Sequence, residues 1–131
     1  MDFIDLHIHS TASDGSLDPY ELVQTALEKG LYAFALTDLD TVEGIPYVME
    51  AAEGYPVHVI PGIEISASYL GNEVHVLGYN IDWNNEFLLE TLESVDRLRY
   101  ERLLQICDLL SEYRIHVTIQ EIFDNAESRV I

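Results

Sequence analysis

Two histidines, His7 and His9, stand two residues apart at the end of the apolar run Phe3-Ile4-Asp5-Leu6-His7-Ile8. In an extended strand that spacing turns both imidazoles to one side of the pleat, and at a strand end that side can face a pocket. Two imidazoles on one side are half of a metal site; the same pair could instead be partly buried histidines bonded to backbone. Further ionisable residues follow. Asp14 lies in the loop after this run, Asp38 and Asp40 in the loop after a second apolar run, Glu64 between Ile63 and Ile65, and His75 between Val74 and Val76. Ionisable groups placed repeatedly at strand ends are unfavourable unless they are satisfied together, and a shared cation would satisfy them.

Each of these residues also has a plainer reading. Asp14 before Gly15 is a common turn pair. Asp38 and Asp40 could cap a following helix, and for Asp40 capping is preferred to metal ligation. A lone His75 would more often be a satisfied core histidine or a sheet-face histidine. Glu64 interrupts an apolar run directly after Pro61-Gly62, which favours a functional role. His58 and His116 show no partners in the sequence and are read as structural or exposed.

The elements that must position these residues alternate. The apolar run from Phe3 to Ile8 reads as a first strand, ending in a loop over Ser10 to Gly15. Asp18, Pro19 and Glu21 then give an N-cap, a first-turn proline and a capping-box acid for a helix over 19–29, with Gly30 just past its end. Tyr32 to Leu36 reads as a strand, Val42 to Glu53 as a second helix ending at Gly54, and Val57 to Ile60 as a third strand. Strands alternating with helices across short connections predict parallel β-α-β units. Ile63 to Tyr69 and Val74 to Tyr79 flank Gly71-Asn72 as a hairpin. From Asn85 to Tyr113 leucines recur at helical spacing, predicting one long helix or a helix pair packed by that stripe, and Thr118 with Glu121 starts a short helix.

The chain has 131 residues, 48% hydrophobic, the size of a single domain. Its one cysteine, Cys107, excludes an internal disulfide framework. With 24 acidic and 6 basic residues the formal charge is -18, which argues against sequence-independent binding to a nucleic-acid backbone. There is no basic, apolar leader and no apolar run long enough to span a bilayer, so a reducing cytoplasm is the expected compartment, with no direct membrane contact.

In order, Asp5-Leu6-His7-Ile8-His9-Ser10, Ser13-Asp14-Gly15, Thr37-Asp38-Leu39-Asp40, Pro61-Gly62-Ile63-Glu64 and Glu73-Val74-His75-Val76 resemble the motifs of the PHP family, the polymerase and histidinol phosphatase domains. The likeness spans residues 2 to about 82 and is closest to small bacterial phosphoesterases. It implies an α/β fold, the amino-terminal part of a distorted (β/α)7 barrel, with residues 1–82 carrying the metal motifs and 83–131 forming a helical segment of a domain incomplete at its carboxyl end. It also implies two or three divalent metals, Mn, Zn or Fe. His7 and His9 would hold the first, Glu64 would bridge to a second bound by His75, and Asp14 would belong to a third. Glu64 and Asp14 would be the catalytic carboxylates, and the metals would share the hydroxide that attacks a small phosphate ester, such as a nucleotide.

The family has histidine where this chain has Leu39, so the third site is expected to be weak or absent. Lys29 is the only basic residue before Arg97, so this part of the chain offers no arginine fork for a phosphate, and metals, or residues outside this chain, are expected to supply the charge that meets it. An open barrel edge would favour homo-oligomers. Two other functions stay open: an amidohydrolase-like C-N or C-O hydrolase, and a non-catalytic module that binds metal or a partner.

Overall fold

The computed structural model describes residues 3–126. Its order is β1 (Phe3–Ile8), α1 (Pro19–Glu28), β2 (Leu31–Leu36), α2 (Ile45–Ala51), β3 (His58–Tyr69), β4 (Asn72–Tyr79), α3 (Glu86–Glu112) and α4 (Ile119–Asn125). The four strands form one sheet in chain order. Strands β1, β2 and β3 are parallel, joined by α1 and α2, whereas β3 and β4 are antiparallel.

Local chemistry explains most of these boundaries. The Asp18 carboxylate accepts the N–H groups of Tyr20 and Glu21, each at 2.8 Å, while Glu21 accepts the Asp18 N–H at 3.0 Å. Together these bonds satisfy orphan donors at the start of α1. Gly30, at φ +69°, lets the chain leave the helix for β2. Asn85 caps α3 by accepting from the Leu88 N–H, and Thr118 with Glu121 forms a second capping box on α4.

Three features differ from the sequence reading. Helix α2 starts at Ile45 instead of Val42, because residues 38–40 continue alongside β3: Asp40 N–H donates to the Glu64 carbonyl at 2.8 Å and Glu64 N–H to the Asp38 carbonyl at 3.2 Å. The expected third and fourth strands are one strand, β3. Its first part pairs with β2 through Pro61, and from Gly62 onward it pairs with β4. A proline is tolerated at such a change of partner. The β3–β4 turn is centred on Leu70 and Gly71, at φ +50° and +78°, one residue earlier than expected. Two successive positive φ values give the twist that suits a two-residue hairpin.

Val23, Phe34, Leu36, Ile45, Val48 and Ile63 are the fully buried apolar centre, formed where α1 and α2 cover the sheet. The sheet curls: the Tyr79 hydroxyl on β4 donates to the Leu6 carbonyl on β1 at 2.9 Å, bringing the outer strands together. Helix α3 departs from the expectation of a packed stripe. Leu92 is buried and Leu88 partly so against the core, whereas Phe87, Leu98 and Leu109 are 79%, 61% and 57% exposed. Among the described residues no helix is long and apolar enough to cross a membrane.

This division of α3 from the core gives a direct test. Phe34→Ala is expected to cost about 3–5 kcal/mol of stability through the cavity it leaves. Leu98→Ala should stay within about 0.5 kcal/mol, as surface substitutions do. Urea denaturation followed by circular dichroism measures both.

Candidate metal centre

The site is built around one carboxylate. Glu64 lies in β3, two residues beyond the point where that strand changes partner, and is 5% exposed. The parallel pairing puts the end of β1 on the same side, and His9 Nε2 lies 3.1 Å and His7 Nε2 3.5 Å from Glu64 Oε2. His75 arrives from β4, with Nδ1 at 3.1 Å from the other oxygen, Oε1. The His7 and His9 rings are 5.0 Å apart, on one side of β1 as their two-residue spacing requires. Asp14, on the loop after β1, contacts His9 Nδ1 through its carboxylate. The five residues singled out as ligands or catalysts therefore form one contiguous set.

Its donors suit a divalent cation. Ligand atoms of His7, His9 and Glu64 lie within 4.8 Å of one another. His9 Nε2 is buried, and although Glu64 Oε2 is close, it has no aligned hydrogen-bond partner. Such an atom is unfavourable unless something else fills its lone pair or takes its proton. Two imidazoles and a carboxylate match Zn, Mn or Fe, and a carboxylate on the far ring nitrogen, as Asp14 is on His9, is the usual means of fixing a ligating histidine.

The electrostatics agree with these contacts. Burial alone would raise the Asp14 pKa, but the hydrogen bond and charge of His9 outweigh it and hold the carboxyl below its ordinary value. The hydrogen bond that His75 Nε2 donates to Glu73 Oε1 at 3.2 Å raises the His75 pKa; desolvation opposes it and Glu64 reinforces it.

A second group of carboxylates holds the loops. Asp38 is 1% exposed and accepts from Ser10 N at 2.6 Å, Ser10 Oγ at 2.8 Å and Ser13 Oγ at 2.7 Å. It ties the loop carrying Asp14 to the end of β2. Asp40 accepts from Ser66 N at 2.8 Å and from the Arg99 guanidinium. Neither aspartate caps α2, whose N-cap, Gly44, has no side-chain cap. A Cβ at Gly44 would come within 2.6 Å of Asp38 Oδ2, so the close approach of this loop requires glycine. Leu39 is buried and its backbone pairs with Glu64. His58 packs beside the Tyr32 ring and His116 is exposed, both apart from the cluster.

Ser10, Ser13 and Arg99 were missed as supporting residues. The serines left a signal, two hydroxyls in a tight loop beside ionisable residues, but Arg99 left none because α3 brings it back across the fold.

The sequence profile of the PHP domain matches residues 5–125. The chain belongs to the PHP domain family. Among the relatives of this PHP chain is a 5'-3' exoribonuclease of Haemophilus influenzae, 41% identical over 108 residues, covering 82% of this chain and 39% of the relative. A 3',5'-nucleoside bisphosphate phosphatase of Chromobacterium violaceum is 36% identical over 103 residues, covering 79% of this chain and 36% of the relative. The structure of an amidohydrolase from Chromobacterium violaceum, with bound sulfate and no metal, superposes with a TM-score of 0.80 at 33% identity, over 95% of this chain and 45% of that one. The PHP chain thus spans about two-fifths of the length of the curated relatives it matches. Its α/β architecture is that of a partial PHP barrel, a curled sheet with His7 and His9 at the end of β1, Glu64 within β3 and His75 within β4.

The raised His75 pKa has a readable sign. The contacts with Glu73 and Glu64 stabilise the metal-free fold fully below the unfolded histidine value of about 6.5, and this contribution fades as pH rises through the higher folded value. Nuclear magnetic resonance titration of the metal-free chain should show His75 keeping its proton to higher pH than histidine in a peptide. Titration at or below the peptide value would contradict the Glu73 contact.

Proposed function

We propose that this PHP domain serves a metal-dependent phosphoesterase acting on a small phosphate ester, a nucleotide or related phosphomonoester. The observation that carries the reading is the convergence of His7, His9 and His75 on the two oxygens of buried Glu64. His7, His9 and Glu64 would hold one divalent cation, and Glu64 with His75 a second. Zn, Mn or Fe in those places would supply Lewis-acid charge neutralisation and activate water for attack on phosphorus. The residues' own work is positional. Glu64 presents one oxygen to the β1 histidines and the other to β4, Asp14 fixes the ring of His9, and Asp38 secures the loop that carries Asp14. The names of the relatives support the phosphoester class, since a nucleoside bisphosphate phosphatase and an exoribonuclease both act at phosphorus.

A second reading, hydrolysis of an amide or lactone, is favoured by one observation, the amidohydrolase name of the superposing structure. Full-length protein loaded in turn with Zn2+, Mn2+ and Fe2+ and assayed against nucleotide monophosphates, bisphosphates, amides and lactones separates the two. Turnover confined to the phosphate esters is expected. Glu64→Gln should lower bound metal and turnover by about 100-fold or more, since it removes the charge that both donor groups share. Metal content by elemental analysis that is unchanged in Glu64→Gln would remove the metal assignment.

Leu39 bears on the number of metals. Leucine offers no donor, so we assign two cations to this site and a weakened or absent third. Leu39→His in the full-length protein is expected to raise metal stoichiometry, with the new imidazole joining Asp14. Unchanged stoichiometry would make Leu39 a packing residue alone.

A further inference from the structure

Helix α3 packs on the core near its start, through Leu88 and Leu92. Two turns further along, the Arg99 guanidinium reaches the loop after β2. Its Nη2 donates to Asp40 Oδ2 and, at 3.0 Å, to Ser66 Oγ. The Asp40 side chain is 5% exposed, and its other oxygen accepts the Ser66 backbone N–H at 2.8 Å. The Asp40 N–H in turn donates to the Glu64 carbonyl at 2.8 Å. Asp40 is at φ +52°, in the left-handed region that aspartate adopts more readily than most non-glycine residues. Ser66 lies two residues after Glu64, on the same face of β3, and stands opposite His75 in the β3–β4 register.

We infer that Arg99 is a positioning residue for the metal centre: through its contacts with Asp40 and Ser66 it fixes the backbone of Glu64, and these contacts set the affinity of the cluster for its cation. The inference rests on the metal-centre reading above. A guanidinium keeps its charge at any ordinary pH and spans two acceptors with a rigid fork. Without it the nearly buried Asp40 carboxylate loses its counter-charge, and such a group moves toward water. That movement would release the Ser66 N–H and the Glu64 carbonyl together. Glu64 must face histidines from two strands with its two oxygens, so a small shift of its backbone misaligns both sides. Loss of an outer partner of a metal ligand lowers metal affinity by about 10–100-fold.

The test is calorimetric titration of the metal-free, full-length protein with Zn2+ and, separately, Mn2+, alongside amide hydrogen exchange. Arg99→Met should weaken binding about tenfold or more and speed exchange at Glu64 and Ser66. Arg99→Lys, which keeps the charge without the fork, should recover part of the affinity. Asp40→Asn keeps an acceptor for Ser66 and provides a second route to the same loss, and the double variant should be no worse than Arg99→Met. Leu92→Ala loosens α3 through the core without touching Asp40, and should lower the melting temperature while leaving affinity near that of the parent. Parent-like binding in both Arg99→Met and Asp40→Asn would overturn the inference, as would an equal loss in Leu92→Ala. If the parent itself binds neither cation, the metal-centre reading falls first and this inference with it; if the parent binds and the variants match it, this inference alone falls.

Discussion

A carboxylate removed from water has to be met by charge or by hydrogen-bond donors, and in this chain Glu64 is the carboxylate on which the remaining arrangement turns. It can be met from two sides because β3 changes partner just before it. Up to Pro61 the strand lies parallel to β2, which aligns the ends of β1, β2 and β3; from Gly62 it lies antiparallel to β4, which returns His75 to the same place. Gly62 makes that change sterically possible. A Cβ there would sit 2.8 Å from the Gly78 carbonyl and 2.9 Å from Thr37 Cγ2. A helix-covered parallel sheet alone would deliver His7 and His9, and the hairpin alone would deliver His75. The change of partner combines them on one residue.

The acidic groups at these strand ends divide by what faces them. Asp38 and Asp40 are occupied by protein donors: the hydroxyls of Ser10 and Ser13 with the Ser10 N–H for the first, the Ser66 N–H and Arg99 for the second. Glu64 faces imidazoles, and Asp14 faces the His9 imidazole with only a longer 3.3 Å contact from Ser13 Oγ beside it. A hydroxyl or amide that donates satisfies a carboxylate without further help, whereas an imidazole shares a proton or a metal with it. The two aspartates around Leu39 therefore act as fasteners of the backbone, and the imidazole-facing carboxylates are the ones on which the proposed metal centre draws.

The difference in partner explains which features were legible in the sequence. Helix α1 was readable because Asp18, Pro19 and Glu21 act on their own turn, and the His7 and His9 pairing was readable because strand geometry is set two residues at a time. The start of α2 was misread because its competitor lies in β3: residues 38–40 bond to Glu64, a partner that no local pattern announces. The hairpin turn fell one residue early because Leu70 takes a positive φ that its residue type disfavours. The leucine stripe of α3 gave the helix correctly, but periodicity cannot say which part of a stripe has a surface to pack on. Arg99 was the least visible, since a tertiary ion pair depends on the path of the whole helix.

Charge distribution completes the argument. The acidic excess repels a phosphate at long range. Arg97, Arg99 and Arg102 are half of the chain's basic residues and fall within two turns of α3. Of these, Arg99 reaches the strand ends, where its charge is already committed to Asp40. Within these residues, the attraction for a phosphate in the proposed reaction is that of the cations that His7, His9, Glu64 and His75 would hold, acting over a few ångströms. Long nucleic acids gain affinity from many phosphates met along an extended basic surface. Under the proposed function, attraction concentrated at one point acts on the one phosphate brought close to it, whether that phosphate stands alone or ends a longer chain.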